Sequence, residues 1–223
     1  MSRDASPWWH TTVVTPGAIV GQRLVPAAAP SRGCQGDVAL VQPRHAGTTR
    51  PQDRQCARVT VPGPIIRPFE PGDLPALQRI RQAAFAPVFQ SFREIVGEQI
   101  AALALVDAEA EQAKLLDDIC AADSAHRVLV VTIGDEIVGF VSFTADAEKR
   151  TGEIGLNAVH PDHAGRGIGT EMYDHVLARM KELGIAVATV GTGGDASHGP
   201  ARRAYEKAGF GPGIPSIYLY RLL

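Results

Sequence analysis

The segment spanning residues 153–170 constrains the fold most, because it has the sequence of a strand, a tight glycine loop and the start of a helix. Ile154, Leu156 and Ala158 alternate along the chain and are predicted to lie on one face of the strand. Pro161 ends this strand, because proline cannot donate a backbone hydrogen bond to a sheet. The segment therefore predicts a strand that passes almost directly into a helix.

Apolar residues recur at spacings of three and four positions after the loop, which predicts an amphipathic helix with one face against a sheet. They are Ile168, Met172, Val176, Leu177 and Met180. Gly184 lies where a left-handed C-terminal cap is expected, so the helix is predicted to end there.

The start of this helix predicts an anion-binding site. The N–H groups from about Gly165 to Thr170 have no partners within a helix, and they point outward with the positive end of the helix dipole behind them. Gly165, Gly167 and Gly169 lack Cβ atoms, so phosphate oxygens can approach the main chain closely. Arg166 adds a positive charge at the rim. A pyrophosphate group fits this arrangement.

Two common phosphate-binding loops do not fit the sequence. A dinucleotide-binding fingerprint begun at Gly165 requires a small residue three positions after Gly167 and meets Thr170, and one begun at Gly167 meets Met172. A P-loop requires Gly-Lys-Ser or Gly-Lys-Thr, and no lysine lies nearby.

The segment instead resembles motif A of the GNAT superfamily of N-acetyltransferases, whose pattern is Val-x-Pro-x-x-(Gln/Arg)-x-x-Gly-x-(Gly/Ala). Val159, Pro161, Gly167 and Gly169 match this pattern, and Ala164 stands where the family usually has Gln or Arg. The resemblance implies an α/β (α+β) fold with a mixed central β-sheet flanked by helices. It also implies acetyl-CoA as the acyl donor and no metal. The cofactor-binding residues that it implies are Ala158, Val159, Ala164, Gly165, Arg166, Gly167, Ile168, Gly169, Thr170 and His198.

A second motif of the same family lies about forty residues further on. Its pattern is Asn-x-x-Ala-x-x-x-Tyr-x-x-x-Gly-Phe, and Ala201, Tyr205, Gly209 and Phe210 match it, with His198 at the Asn position. Two motifs in the expected order are far more specific than either alone. The resemblance covers roughly residues 65–223.

The resemblance implies direct transfer of an acetyl group from acetyl-CoA to a primary amine, with no covalent enzyme intermediate. Tyr205 is the expected general acid, because a phenol with an ordinary pKa of about 10 can protonate a thiolate whose conjugate acid has a pKa of roughly 8.5. Core packing is its alternative role. Backbone N–H groups near Ala158 and Val159 are expected to polarise the thioester carbonyl.

Glu153 is the expected general base, acting directly or through a water, and the alternative is a solvated residue at the strand start. His160, His163 and Asp195 are alternative bases, and Asp195 can instead cap the short helix. Asn157 stands where the family favours an apolar residue, so it is expected to reach the acyl or acceptor group.

Other patterns place this segment within a sheet. Residues 65–68 and 127–133 read as strands, and residues 137–143 complete an antiparallel hairpin. Residues 185–190 form a buried strand after the motif helix, predicted to run parallel to the motif strand and to splay from it.

Helices are predicted between the first two strands. Asp73 is placed to cap a helix that contains Leu77 and Ile80, and Phe85, Phe89 and Phe92 continue its spacing. A second helical segment runs through Ile95, Ile100, Leu103 and Val106, and a third contains Leu115, Leu116 and Ile119. The phenylalanines are expected to pack in the core, and in the family this region also walls the acceptor pocket.

The charge distribution divides the chain in two. Residues 1–63 contain seven Arg and three Asp with no Lys or Glu, a balance of +4, whereas residues 64–223 have a balance of −6. The first segment is rich in Pro and Gly, and its apolar residues show no regular helical or strand spacing. Residues 1–63 are therefore predicted to be a low-complexity, mostly disordered extension. A solvated tail is favoured over a nucleic-acid contact, and a natural start near Val59 or Val61 is an alternative. Residues 64–223 are the predicted acetyltransferase domain.

The remaining composition narrows the class of protein. No apolar run is long enough to span a bilayer, and the N-terminus lacks the apolar core of a signal peptide. Cys34, Cys56 and Cys120 are odd in number and widely spaced, which favours a reducing cytoplasm. The expected partner is a small-molecule amine, with no nucleic acid or membrane and with a homodimer as a family expectation. The alternatives are a CoA-binding regulatory module without turnover and an acetyltransferase for proteins or aminoacyl-tRNA.

Overall fold

The computed structural model describes residues 63–223, so the predicted disorder of residues 1–63 lies, apart from Gly63, outside the described residues. The strands are β1 (Ile65–Pro68), β2 (Arg127–Ile133), β3 (Glu136–Asp146), β4 (Thr151–Val159) and β5 (Val187–Val190). The helices are α1 (Leu74–Val96), α2 (Glu98–Ala104), α3 (Ala108–Ile119), α4 (Ile168–Glu182) and α5 (Gly199–Lys207). No helix among residues 63–223 combines the length and apolar character that a membrane crossing requires.

The five strands form one sheet in the order β1-β2-β3-β4-β5. Strands β1 to β4 are antiparallel to their neighbours, and β5 runs parallel to β4. Strand β4 reaches β5 through helix α4, which supplies the crossover that two parallel neighbours need. The predicted mixed sheet flanked by helices is confirmed, as are the β2–β3 hairpin and the parallel last strand.

Both faces of the sheet are covered by helices. On one face, α4 and α5 bury Met172, Val176 and Tyr205 against Val141 and Phe143 of the sheet. On the other, α1 and α3 bury a second cluster, made by Leu77, Ile80, Leu116, Ile119, Val130, Phe140, Leu156 and Ala158. The two faces are called the α4 face and the α1 face below.

Strand β4 has one residue more than β3 near its middle. The flanking pairs in the register are Val141 with Asn157 and Phe143 with Ile154. Gly155 and Leu156 therefore both lie opposite Ser142, which is a β-bulge. Ser142 Oγ donates to the Leu156 carbonyl at 3.0 Å, and a Cβ atom at Gly155 would lie 2.8 Å from the same hydroxyl oxygen. Only glycine fits this position without a shift of its neighbours.

The bulge reverses the side-chain alternation along β4. Ile154 packs on the α4 face, whereas Leu156 and Ala158 pack on the α1 face. The prediction that these three residues share one face is therefore wrong, because strict alternation fails where an extra residue is inserted. Asn157 is turned by the same bulge to the α4 face, where it meets the tyrosines described below.

Local details also differ from the predictions at the first helix. Asp73 precedes α1, but its carboxylate accepts from the Glu70 N–H at 2.8 Å and from Arg67 at 2.7 Å, so it does not cap α1. Helix α1 ends at Gly97, whose φ of 81° is unfavourable for other residues, so Ile95 belongs to α1 and not to the second helical segment.

Strand β5 begins two residues later than predicted. The Ile185 N–H donates to the Met180 carbonyl and thereby closes α4 around Gly184, as in a Schellman motif. The Ala186 N–H then donates to the Arg150 carbonyl at 2.8 Å, and pairing with β4 starts at Val187.

Candidate functional site

Strands β4 and β5 separate halfway along β4. Their ladder pairs residues 151–154 with residues 187–190 and ends at Ile154 and Val190, while β4 continues to Val159. In the part of the chain that the structure describes, no strand pairs with the far half of β4 on this side. This far half therefore borders a gap at the carboxyl ends of two parallel strands.

Two backbone amides of β4 point toward this gap. The His160 N–H donates to the Val138 carbonyl at 2.8 Å, and the register continues through Ala158 opposite Phe140. Because N–H groups alternate in direction along an antiparallel strand, the Ala158 N–H faces β3, whereas those of Asn157 and Val159 face the gap. Of the two amides expected to polarise a thioester, that of Val159 has the required direction and that of Ala158 is used within the sheet.

The glycine loop after β4 presents unpaired amides at the start of α4. Gly165 and Gly167 have φ values of 75° and 87°, and Gly167 is the N-cap residue. Within residues 63–223, no backbone acceptor binds the N–H groups from Gly165 to Thr170. A Cβ atom at Gly165 or Gly167 would meet no atom within 4 Å. Space is therefore free beside these two glycines, and unpaired amides at a helix start are suited to bind an anion.

The other loop residues have distinct roles. Arg166 is exposed and its Nη2 donates to the Asp162 carbonyl at 3.0 Å, so its charge stays at the rim. Ala164 is exposed and adds no polar side chain. The Ile168 side chain is buried on the α4 face, so only its main chain borders the cradle.

Tyr205 is fixed by a hydrogen-bond network on the α4 face. Asn157 Nδ2 donates to Tyr205 Oη at 3.1 Å and to the Gly155 carbonyl at 2.8 Å. Tyr173 Oη donates to Asn157 Oδ1 at 2.8 Å. Tyr205 is only 6% exposed, and this burial raises the pKa of its phenol. The structure thus holds a protonated phenol beside the strand whose amides face the gap.

Tyr173 was not among the residues predicted from the sequence. Its ring centroid lies 4.8 Å from that of Tyr205, and burial raises the pKa of its phenol as well. In the sequence, Tyr173 adjoins Met172 on the apolar stripe of α4, so only a core role was apparent. Its link to the site passes through Asn157, whose direction depends on the bulge.

Glu153 lies on the opposite face of the sheet from Tyr205. It pairs with Thr144 and precedes Ile154, which faces α4, so its side chain points to the α1 face. The carboxyl group is half-buried, and desolvation raises its pKa.

His126 lies on the α1 face and was also missed in the sequence. Its Nδ1 atom is buried without a hydrogen-bond partner and lies 3.7 Å from the Cβ position of Gly155. Burial lowers the pKa of this imidazole. A single histidine just before a strand belongs to no recognisable motif, so nothing in the sequence marked His126 as a site residue.

The alternative bases are dispersed. His160 Nδ1 accepts from the Asp162 N–H at 3.3 Å, and His163 Nε2 lies 3.6 Å from Glu136 at the start of β3. Asp195, by contrast, lies in the loop after β5 and contacts His198 with 2.6 Å between Oδ1 and Nδ1. The structure therefore brings together Asp195 and His198, but not the two histidines of the glycine loop with Tyr205.

A family comparison covers most of this site. The model of the acetyltransferase (GNAT) family matches residues 90–210, more than half of the chain. The chain belongs to the GNAT acetyltransferase family. The matched GNAT region includes the glycine loop, Asn157 and Tyr205.

Individual relatives agree with the GNAT assignment. The uncharacterized N-acetyltransferase YsnE of Bacillus subtilis (strain 168) is 30% identical over 77 residues, 34% of this chain and 50% of YsnE. The matched part thus spans half the length of that relative.

Solved structures show the same fold. A protein assigned to the GNAT family from Desulfovibrio desulfuricans has a TM-score of 0.53 at 19% identity, covering 68% of this chain and 87% of its own. Aminoglycoside 6′-N-acetyltransferase AAC(6′)-IG from Acinetobacter haemolyticus has a TM-score of 0.50 at 13% identity, with 71% and 99% covered. The GNAT-like fold predicted from the two motifs is confirmed.

Proposed function

We propose that the protein transfers an acetyl group from acetyl-CoA to the primary amine of a small molecule, by direct attack of the amine on the thioester. One juxtaposition supports this proposal above all others. Asn157 fixes the Tyr205 phenol at 3.1 Å, and the Asn157 main chain borders the gap left where β4 and β5 separate. The proposed proton donor thus contacts the far half of β4, and the proposed phosphate-binding loop follows the end of the same strand.

Acetyl-CoA supplies the activated acetyl group as a thioester. The amides of residues 165–170 are suited to hold its pyrophosphate, with Arg166 at the rim. The Val159 N–H faces the gap and is placed to donate to the thioester carbonyl oxygen as it gains negative charge. A fixed donor of this kind can contribute about 3 kcal/mol to transition-state stabilisation.

Tyr205 is the proton donor to the departing sulfur. Its raised pKa keeps the phenol protonated across the neutral range. A thiolate that leaves in the same buried environment is also desolvated, which raises the pKa of the thiol. The pKa values of the phenol and the thiol therefore rise together. Core packing alone would not require a hydrogen bond from Asn157 to the hydroxyl oxygen.

Glu153 is a proton acceptor for the amine. Desolvation raises the pKa of its carboxyl group toward the working range of a general base. It lies on the α1 face near the end of the β4–β5 ladder, whereas Tyr205 lies on the α4 face, so the acid and the base stand on opposite faces of the sheet.

A cationic small-molecule amine agrees with the charge of the chain. Residues 64–223 have a balance of −6, which attracts an alkylammonium and disfavours nucleic acid. The decisive experiment is a thiol-release screen of acetyl-CoA against polyamines, amino acids and aminoglycosides, with an N-terminal alanine peptide to represent protein acceptors.

The screen has four outcomes when it is combined with calorimetry of acetyl-CoA binding. Binding with thiol release on a small amine supports the proposal. Binding without release on any acceptor identifies a CoA-binding module, and release on the peptide alone identifies a protein acetyltransferase. An absence of binding refutes the placement of the cofactor at the glycine loop.

A further inference from the structure

A polar cluster stands at the start of α5, where β5 leads into the loop of residues 191–198. Asp195 Oδ1 lies 2.6 Å from His198 Nδ1, and Asp195 Oδ2 accepts from Ser91 Oγ of α1 at 3.2 Å. The Ser197 N–H donates to the same oxygen at 3.1 Å, and the Ser197 hydroxyl also donates to it. These bonds fix Asp195 and His198, called the Asp195–His198 pair below.

The loop is shaped to hold this pair. A Cβ atom at Gly193 would collide with His198 Nδ1 and Asp195 Oδ1, so only glycine fits beneath them. Arg202 donates to the carbonyls of Gly193 and Asp195, the latter at 2.7 Å. The imidazole also stacks on Phe92 of α1, with 5.7 Å between ring centroids. Contacts on several sides therefore fix the position of the imidazole ring.

The contacts of Asp195 decide which nitrogen of His198 is basic. The donors around Asp195 hold the pKa of its carboxyl group below the usual value, although burial opposes them, so the group stays ionised. An ionised carboxylate accepts from Nδ1–H, which leaves the lone pair of the neutral imidazole on Nε2. Asp195 thus orients His198 as a carboxylate orients the histidine of a hydrolytic triad.

The Nε2 atom is open to a ligand. Within residues 63–223 it has no hydrogen-bond partner, and it is not one of the enclosed polar atoms that lack a partner. The side chain is 16% exposed, so solvent or a substrate can reach the ring.

The pair lies near the predicted reaction centre. Tyr205 is seven residues after His198, two helical turns along α5, so their Cα atoms are about 10 Å apart on one side of the helix. Both side chains therefore leave the helix on the same side, which is the placement that an acid and a base acting on one substrate require.

The stoichiometry of the reaction calls for a second base. An alkylammonium nitrogen has three protons and the amide product has one, so two protons leave the nitrogen, while Tyr205 supplies a separate proton to sulfur. In the proposed function Glu153 accepts one of these two protons, and the second proton still needs an acceptor.

We propose that His198 Nε2, oriented by Asp195, accepts the proton that leaves the amine nitrogen as it attacks the thioester carbonyl. This inference rests on the proposed function. The N–C bond forms, the C–S bond breaks with its electron pair on sulfur, and sulfur takes the proton of Tyr205 Oη. Glu153 removes the earlier proton, from the ammonium. His198 is then a catalytic residue and Asp195 a positioning residue. After the reaction, Glu153 and His198 release their protons to solvent and Tyr205 regains one from it.

Few charged groups face this imidazole. Asp195 is in direct contact, Arg202 is bound to carbonyls of the loop, and Arg203 lies near Gly199 with its Nη1 3.3 Å from that Cβ position. From α1, the packed side chains are the uncharged Ser91 and Phe92, and the adjacent Arg93 is paired with Glu109.

The test compares His198→Gln and Asp195→Asn with the control His175→Gln, which replaces an exposed histidine on α4. The amine is whichever acceptor gives the fastest thiol release in the screen above. We expect His198→Gln to lower kcat/KM by about 10²-fold and to remove one deprotonation from the acidic side of its pH profile, with acetyl-CoA affinity nearly unchanged. The control keeps the wild-type profile.

Asp195→Asn provides a second, isosteric variant. Its amide can donate to Nδ1 and so place the proton on Nε2, for which we expect a loss of about 10- to 100-fold in kcat/KM. Nitrogen-15 NMR of the wild-type protein at neutral pH should show the His198 proton on Nδ1.

The proposal is overturned by any of three results: His198→Gln retains the wild-type rate, its rate falls with the acidic limb unchanged, or wild-type His198 carries its proton on Nε2. A large loss of acetyl-CoA affinity at unchanged kcat would also overturn it and make His198 a cofactor ligand. A wild-type protein that releases no thiol with any acceptor refutes the proposed function itself, which separates the two failures.

Discussion

Asn157 and Tyr205 are joined by a hydrogen bond of 3.1 Å from the Asn157 amide nitrogen to the phenol oxygen, across a sequence separation of 48 residues. The bond exists because the bulge in β4 turns Asn157 onto the face where α5 packs. It links the strand that lines the gap to the proton donor of the proposed reaction. The position of the phenol thus depends on the backbone geometry of β4.

Gly155→Ala tests the bulge. Its Cβ atom would lie 2.8 Å from Ser142 Oγ, so we expect a destabilisation of about 1–3 kcal/mol in urea unfolding, as for an overpacked core site. Ser142→Ala removes the opposing hydroxyl, and the double variant should recover part of the loss. Strict additivity of the two single substitutions would show that the two atoms do not compete for this space.

The two ends of α4 provide a matched pair of glycine substitutions. Gly169→Ala should stabilise the protein by about 0.5–1 kcal/mol through helix propensity, because its φ is not positive. It should leave the affinity for acetyl-CoA within severalfold of the wild type, because the family pattern accepts Ala as well as Gly at this position. Gly184→Ala should destabilise the protein and leave the affinity for acetyl-CoA unchanged, because its φ of 81° is strained for alanine and it lies far from the loop.

Calorimetry and thermal unfolding of the two variants separate these effects. A loss of more than tenfold in the acetyl-CoA affinity of Gly169→Ala alone would show that phosphate approaches this turn of α4 too closely for a Cβ atom. Equal losses of affinity in both variants would point to a general effect on helix stability.

Glu153→Gln tests the desolvated carboxyl group through the pH dependence of stability. The folded-state pKa of Glu153 is raised above the ordinary value of about 4.3, so its stabilising contribution is fully present below that value and is lost as the pH rises through the folded pKa. Glu153→Gln should therefore be more stable than the wild type at neutral pH. This advantage should shrink as the pH falls toward 4.

Urea unfolding between pH 4 and pH 8 measures the difference, and Glu182→Gln at the exposed end of α4 is the control. A constant difference between wild type and Glu153→Gln across this range would contradict the raised pKa.

Local patterns in the sequence predicted the parts of the site that depend on near neighbours. The glycine loop and the apolar stripe of α4 follow from residue spacing within one segment, and Pro161 and Gly184 mark its ends. The bulge at Gly155 was not predictable, because it depends on Ser142 in the neighbouring strand, and the error reversed the expected face of Ile154.

The Asp195–His198 pair likewise combines a local contact, which the sequence could suggest, with distant contacts, which it could not. The two residues are three positions apart, so their contact is local, and Asp195 had been expected to cap a helix or act as a base. Ser91 and Phe92, which fix the pair from α1, lie more than a hundred residues away, and no pattern in the sequence connected them to it.

The proposed reaction depends on protonation of the leaving sulfur by the Tyr205 phenol. Its most direct test is the steady-state kcat for thiol release from acetyl-CoA with Tyr205→Phe, beside Tyr173→Phe, which removes the other hydroxyl of the Asn157 network. We predict that Tyr205→Phe lowers kcat by about 10²–10⁴ with acetyl-CoA affinity within severalfold, and that Tyr173→Phe loses less than about tenfold. A Tyr205→Phe enzyme with wild-type kcat would show that the Tyr205 phenol is not the proton donor.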